Sequence, residues 1–255
     1  MTERAPEPSS EDYRLSHLAP EKGESYQRTF SQNPYRRMMW RLERKALDRV
    51  ERRFLAGRSL RHLDFACGTG RVLAHFAPKA AVSVGVDVSP SMLAVARKEA
   101  PGSELIEADL TANDVLGGRA FDLITAFRFF PNAQPDLRVQ VIRVLVDHLD
   151  AGGLLVFNNH KNLSSLRYRL ARLIRRGGRE GMGPGEVRGL IDGAGLEIVR
   201  TFGYGFTPAS DERRFLPIPV LRAIEAILSR VRPFRGLSEN ILFVCRRKGG
   251  VSTKV

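Results

Sequence analysis

Leu63-Asp64-Phe65-Ala66-Cys67-Gly68-Thr69-Gly70-Arg71 is the stretch from which the fold is read. Its first half is apolar and follows the turn-prone Gly57 and the basic Arg58 and Arg61, as a short buried strand would. Its second half sets two glycines around a threonine. The apolar run Val72-Leu73-Ala74-His75-Phe76-Ala77 then starts a helix. Strand, tight glycine turn and helix open a nucleotide-type binding fold. Glycine lets the backbone turn sharply and approach a ligand with no Cβ in the way. The helix start offers unpaired N–H groups to a polar ligand.

A dinucleotide site requires Gly-x-Gly-x-x-Gly. Here Val72-Leu73 follows Gly68-x-Gly70, and the third glycine is missing. The stretch instead resembles motif I of the class I S-adenosylmethionine (SAM) dependent methyltransferases, with Asp64, Ala66, Gly68 and Gly70 at alternate positions and alanine in place of the first glycine. Ala81-Val82-Ser83-Val84-Gly85-Val86-Asp87 reads as the second strand. Its terminal acid lies 17 residues after Gly70, near the ~20-residue interval of this fold. Val88-Ser89-Pro90-Ser91-Met92-Leu93 is similar to the family's acid-x-Ser-x-x-Met-Leu segment. Ser89 suits a helix cap and Pro90 the first helical position. Glu104 to Leu110 reads as the third strand, and Phe121 to Phe127 as the fourth.

The resemblance implies a Rossmann-like, doubly wound, seven-stranded, mostly parallel sheet of order 3-2-1-4-5-7-6. The implied cofactor is SAM, leaving as S-adenosylhomocysteine (SAH). Asp87 would hold the ribose, and Asp109 with the Leu110 N–H the adenine. Met92 would wall the base, with Val88 and Phe127 beside the cofactor. Gly68 and Gly70 would face the methionine end. Asp64 and Ala66 would support that loop, or Asp64 the cofactor's amino group. Arg128-Phe129-Phe130-Pro131-Asn132 would border the methyl group, and Arg128, Asn132 and His160 would face the acceptor. His160 follows the fifth strand, Leu154 to Phe157, and its type suits a general base. Methyl transfer nevertheless relies mainly on alignment, so a substrate or loop contact is the favoured reading over a base. Ala151-Gly152-Gly153 resembles a family turn before that strand.

The rest of the 255 residues divides around this core. Residues 1–24 are polar and read as a disordered tail without an export signal. Residues 25–57 read as a helical lid. Met38, Met39, Leu42, Ala46, Val50 and Phe54 recur at helical steps there, and Tyr26, Phe30, Tyr35 and Trp40 are candidate lid contacts. Residues 58–247 form the SAM-binding domain. Within it, 161–180 reads as a basic amphipathic helix, with Leu163, Leu166, Leu170, Leu173 and Ile174 on one face and Arg167, Arg169, Arg172, Arg175, Arg176 and Arg179 around the rest. Such a helix either lies on an anionic membrane or lines a cleft with its apolar face inward. Residues 203–239 read as a substrate-shaping insertion between strands six and seven, and 248–255 as a frayed tail.

Net charge is +13, which favours acidic partners. Cys67 and Cys245 are too few for a disulfide framework and lack metal-site spacing, so no metal is expected. Cys67 reads as a small residue in a tight turn. The chain has neither an Asn/Asp-Pro-Pro-aromatic motif after the fourth strand nor a Pro-Cys nucleophile. Those absences speak against base-methylating nucleic-acid enzymes of those kinds. The expected reaction is methyl transfer to O or N of a small-molecule or lipid-linked, amphiphilic acceptor. The expected setting is cytoplasmic, with peripheral attachment at the inner membrane face as an option. The alternatives are an RNA methyltransferase and a non-catalytic SAM-binding protein. Oligomeric state is not encoded in any motif.

Overall fold

A computed structural model describes residues 13–14, 18–173, 181–207, 216–229 and 232–249. It contains one seven-stranded sheet of order β3-β2-β1-β4-β5-β7-β6. The strands are β1 (Leu60–Phe65), β2 (Ala80–Asp87), β3 (Glu104–Glu107), β4 (Phe121–Ala126), β5 (Leu149–Asn159), β6 (Leu196–Tyr204) and β7 (Asn240–Arg247). β1 to β5 pair in parallel, while β7 runs antiparallel to both β5 and β6. Strand order reverses at β1, which has β2 on one side and β4 on the other. In such sheets ligands bind outside the carboxyl ends of the strands at that switch point.

The helices are α1 (Lys22–Gln32), α2 (Pro34–Val50), α3 (Arg71–Phe76), α4 (Pro90–Glu99), α5 (Pro135–Asp147), α6 (Leu166–Leu173), α7 (Pro184–Gly193) and α8 (Ile218–Leu228). Four of them begin with a proline, whose fixed φ and missing N–H cost nothing at the first position. Asn33 caps α2 by accepting from the N–H groups of Tyr35 (2.9 Å) and Arg36 (3.2 Å). Two cores cover the two faces of the sheet. One joins Leu63, Ile124 and Leu155 to Val141, Leu145, Val187 and Ile191 of α5 and α7. The other joins Leu123, Val156 and Val244 to Leu47, Val50, Val72 and Phe76 of α2 and α3.

Several elements differ from the sequence reading. The helix expected from Pro34 to Leu55 ends at Val50 and continues as a π-turn to Leu55. α1 begins at Lys22, inside the stretch read as tail. It packs on α4 so closely that a Cβ on Gly23 would meet the Ser91 carbonyl oxygen at 2.1 Å. Residues 151–153 are extended within β5 rather than a turn, because the strand is bulged there and Gly153 lies against the Phe121 carbonyl. The helix expected over 161–180 spans Leu166–Leu173, and Ile174, Arg175, Arg176 and Arg179 lie outside the described residues. Most of the 1–24 and 248–255 tails, and part of 203–239 including Arg213 and Arg214, lie outside them too.

Candidate cofactor and acceptor cleft

The β1 turn is built on left-handed backbone. Ala66, Gly68 and Gly70 have φ of 51°, 54° and 78°. At Gly70 the reason is close packing as well as the turn, since a Cβ would lie 3.0 Å from Cα and Cβ of Ala96 in α4. At Gly68 a Cβ would meet nothing within 4 Å, so the loop borders open space. Ala66 adopts the same region with a methyl attached, a strain of about 1 kcal/mol.

That space is a cleft enclosing ≈ 960 Å³, the solvent at its mouth included. Asp64, Ala66, Gly68, Asp87, Val88, Met92, Asp109, Phe127 and Arg128 line it. Gly70, Leu110, Asn132 and His160 stand outside its lining. Apolar walls come from Phe65, Val72, Val86, Leu137 and Val141. Tyr13, Arg14, Thr69 and Arg71 also line it, and the sequence reading missed all four. The only local cue for Tyr13 was an aromatic in an otherwise polar tail. Arg71 lay next to the glycine turn but matched no motif position.

Three carboxylates occupy one side. Asp87 accepts from the N–H groups of Gly68 (2.8 Å) and Ser89 (2.9 Å), so it ties the β1 turn to the β2 turn. Asp109 accepts from the Thr111 N–H (2.8 Å) and hydroxyl (2.7 Å) and pairs with Arg14 at 2.7 Å. Burial pushes its carboxyl up, but those bonds outweigh burial and hold it below the usual range. Asp64 is 1 % exposed. Its Oδ1 accepts from the Thr125 hydroxyl at 2.6 Å, while Oδ2 is buried without a partner. Burial pushes Asp64 up to about 7, the Thr125 bond and the Leu73 N–H of α3 offsetting part of that. The Thr69 hydroxyl is likewise buried without a partner.

The cleft also has a basic and aromatic part. Arg71 lies with its guanidinium carbon 3.6 Å from the Phe30 ring centre, 5.2 Å from Trp40 and 5.9 Å from Tyr26. Arg128 sits 5.5 Å from the same Phe30 ring. Its backbone is left-handed at φ 60°, and its N–H donates to Asn158 Oδ1 at 2.7 Å. Asn158 Nδ2 donates to buried Glu43 of α2 (3.0 Å), which also accepts from the Tyr204 hydroxyl (2.5 Å). This chain of bonds fixes α2 across the ends of β5 and β6.

Asn132 braces the loop by donating to the Arg128 carbonyl at 2.6 Å and to the Tyr13 hydroxyl at 3.4 Å. His160 is 7 % exposed, and its Nδ1 has no partner. Burial, then the nearby Arg128 and Lys161 charges, hold its pKa well below the usual histidine value, so the ring is neutral at pH 7. Burial pushes the Cys67 thiol well up, which suits a packing residue and not a thiolate nucleophile. Asp48, Glu51 and His75 approach one another away from the cleft, and Lys79 pairs with Glu51.

The α6 face does not turn inward. Leu166 and Leu170 are 41 % and 43 % exposed, and Arg167 pairs with Glu239 at 2.6 Å. Val220 and Ile227 of α8 are exposed too. α8 is held instead by Leu221 and by Glu225, which accepts from the N–H groups of Gly205, Phe206 and Thr207 at 2.7 to 3.0 Å.

Residues 63–153 match the family described as "Methyltransferase domain". A malonyl-[acyl-carrier protein] O-methyltransferase of Bacillus cytotoxicus is 27% identical over 135 residues, 52% of this chain and 46% of that protein. A dTDP-3-amino-3,4,6-trideoxy-alpha-D-glucopyranose N,N-dimethyltransferase of Streptomyces venezuelae is 32% identical over 97 residues, 37% of this chain and 40% of that protein. The chain thus spans about half the length, or less, of these curated relatives. In fold it resembles the magnesium protoporphyrin IX methyltransferase of Synechocystis PCC 6803 with bound SAH, with TM-score 0.62 and 15% identity over 88% of this chain and 94% of that one. Residues 63–153 thus carry the methyltransferase-domain match, and the strand order and glycine turn built around that segment are those of the solved methyltransferase fold it resembles.

Proposed function

We propose that the chain transfers a methyl group from SAM to an oxygen or nitrogen of a small-molecule or lipid-linked acceptor. The observation that carries this reading is the unpartnered Oδ2 of buried Asp64 beside the open glycine turn. A buried carboxylate oxygen left without a donor is costly. A cofactor that ends in an ammonium group supplies that donor. When bound, SAM supplies an electrophilic methyl on a sulfonium for in-line attack.

The chain's own residues would then divide the work. Asp64 holds the ammonium, and the Gly68 turn admits the methionine end. Asp87 lies beside the ribose, while Asp109 and the Leu110 N–H meet the adenine with Met92 as a wall. Asp87 and Asp109 already accept local bonds, so each would use a remaining lone pair. Gly70 acts from behind, by letting α3 pack on α4. Phe65, Val72 and Val141 exclude water from the cleft, and alignment there is the main source of rate. Asn132 holds the Arg128 loop. Neutral His160 stands off the cleft lining, which favours a supporting role over proton abstraction. Residues 25–57 serve as the lid and 203–239 as the acceptor-side wall.

The test is equilibrium titration of the chain with SAH and with NAD. Saturable SAH binding and no response to NAD are expected. The reverse result overturns the cofactor reading. SAH binding with no turnover across alcohol, amine and carboxylic acid acceptors would leave a SAM-binding protein rather than an enzyme.

The exposed Leu166 and Leu170 beside Arg167, Arg169 and Arg172 favour a second element of this reading, peripheral contact with an anionic membrane. No helix among the described residues is long and apolar enough to cross a membrane. Flotation with anionic liposomes should persist at physiological salt and fall in the Leu166→Ser/Leu170→Ser double variant. Flotation unchanged by that variant removes α6 as the contact. Retention by RNA that survives physiological salt would favour a nucleic-acid acceptor instead.

A further inference from the structure

Asp87 and Asp109 are matched by donors within the fold, but the two arginines of the cleft are not paired with an acid. Arg71 and Arg128 both line the cleft, and among the described residues neither forms an ion pair with a carboxylate. Nη1 of Arg71 is buried and has no hydrogen-bond partner. Buried Glu43 spends its hydrogen bonds on Asn158 and Tyr204, so it acts on the two arginines through charge alone, as Asp64 does on Arg71. Both guanidinium groups instead approach the face of Phe30. A ring face attracts a cation but does not neutralise it. Two enclosed cations with no directly paired carboxylate are costly, and each further cation nearby raises the cost. The cofactor's own carboxylate can answer one of them at most. One guanidinium is therefore left for something else in the cleft.

Resting on the methyl-transfer reading, we propose that the acceptor is an anion whose carboxylate or phosphate group is seated by Arg128 against Phe30, with Arg71 adding to the field. Arg128 follows β4, at the carboxyl edge of the sheet and beside Phe127 and Phe129, which also line the cleft. A planar guanidinium presents a fork of N–H donors that matches carboxylate and phosphate oxygens. The left-handed φ of 60° at Arg128 is a conformation that non-glycine residues seldom adopt. It is held by the Arg128 N–H to Asn158 bond and by Asn132 on its carbonyl. Both bonds fix the backbone from which the guanidinium extends. Phe30, Phe127 and Phe129 give the anion an apolar neighbour.

The experiment uses the full chain saturated with SAH and titrated at constant ionic strength with hexanoate, hexyl phosphate and hexanamide. Hexanoate or hexyl phosphate should bind saturably, and neutral hexanamide should not. Which of the two binds more tightly distinguishes a carboxylate acceptor from a phosphate one. In Arg128→Asn, a residue that tolerates left-handed backbone, anion affinity should fall by about tenfold or more, as when a charge-assisted bond is lost. SAH affinity should stay within about threefold, well short of the tenfold expected from one lost partner. Arg128→Lys, which keeps the charge without the fork, should fall between the two. Equal binding of hexanamide and hexanoate overturns the proposal. So does anion affinity unchanged in Arg128→Asn. A parallel tenfold loss of SAH in that variant overturns it too, because Arg128 then serves the cofactor. Failure of the unaltered chain to bind SAH breaks the methyl-transfer reading itself, whereas SAH binding without anion binding overturns this proposal alone.

Discussion

The two walls of the cleft handle charge in opposite ways. On the β1–β2–β3 side, Asp87 and Asp109 accept bonds from Gly68, Ser89, Thr111 and Arg14, all within a few ångströms of their own strand ends. Arg71, which opens α3 after the β1 turn, and Arg128, which follows β4, rest instead on an aromatic ring without a directly paired carboxylate. Carboxylates at strand ends find backbone N–H groups in the turns that follow, so local structure satisfies them. Long cationic side chains reach into shared space and depend on what other elements bring there. Asp87 and Asp109 are thus satisfied within the fold, while Oδ2 of Asp64 and Nη1 of Arg71 are not.

The strongest test of the acidic wall is Asp87→Ala. It strands two turn N–H groups and removes the proposed ribose acceptor. SAH affinity should fall by about 1–3 kcal/mol, roughly five- to 150-fold. Calorimetric titration checks it, and unchanged affinity would mean that the β2 acid does not face the cofactor.

A second test uses pH. Asp64 and His62 both contact the Thr125 hydroxyl, at 2.6 and 2.8 Å, and burial shifts them in opposite directions, Asp64 up to about 7 and His62 down to about 3. Asp64 takes up a proton in the folded state as pH falls through 7, well above its unfolded value, so acidification stabilises the fold through it. His62 stays neutral when folded but binds a proton near 6.5 when unfolded, so acidification below 6.5 destabilises the fold through it. The two contributions nearly cancel in the natural chain. Urea unfolding of Asp64→Asn should show an added loss of about 2 kcal/mol between pH 6.5 and 5, the 1.5 pH units converted at 1.36 kcal/mol each. His62→Gln should show the opposite slope. Parallel slopes in all three proteins would break the assignment of both shifts to burial.

The same Asp64 shift bears on binding. Above pH 7 its carboxylate is charged and suits an ammonium ligand, and below pH 7 it is protonated. SAH affinity should therefore weaken as pH falls from 8 to 6, by up to about tenfold for the last unit. Asp64→Asn should bind more weakly but with a flat profile. A steep profile that survives in Asp64→Asn would assign the titration to another group.

The smallest expected effect is at Ala66. Replacing it by glycine relieves the left-handed strain but frees the unfolded chain, so stability should change by no more than about 1 kcal/mol. Thermal unfolding measures it. A loss beyond that would mean that the Ala66 methyl makes contacts worth more than its strain.

Sequence alone determined the glycine turn and the strand-end positions of Asp64, Asp87 and Asp109, while the strand order came from the family resemblance these carry. The turn and the strand ends are local properties. An apolar run that stops at an acid or a glycine marks the end of a buried strand, and in a parallel sheet all such ends lie on one edge. The α2 helix was legible from its apolar period, and its proline start from Pro34. Tertiary structure alone decided the rest. Tyr13 and Arg14 reach the cleft across more than ninety residues of chain to Asp109 and Arg128, from a stretch whose polarity reads as a tail. Arg71 and Arg128 share the ring of Phe30 because α1 folds back over the switch point, a contact that no periodicity encodes. The apolar stripe of α6 was legible, but the direction in which it faces was not. Amphipathicity states that a helix has an apolar side, and only the positions of its neighbours state whether anything covers it.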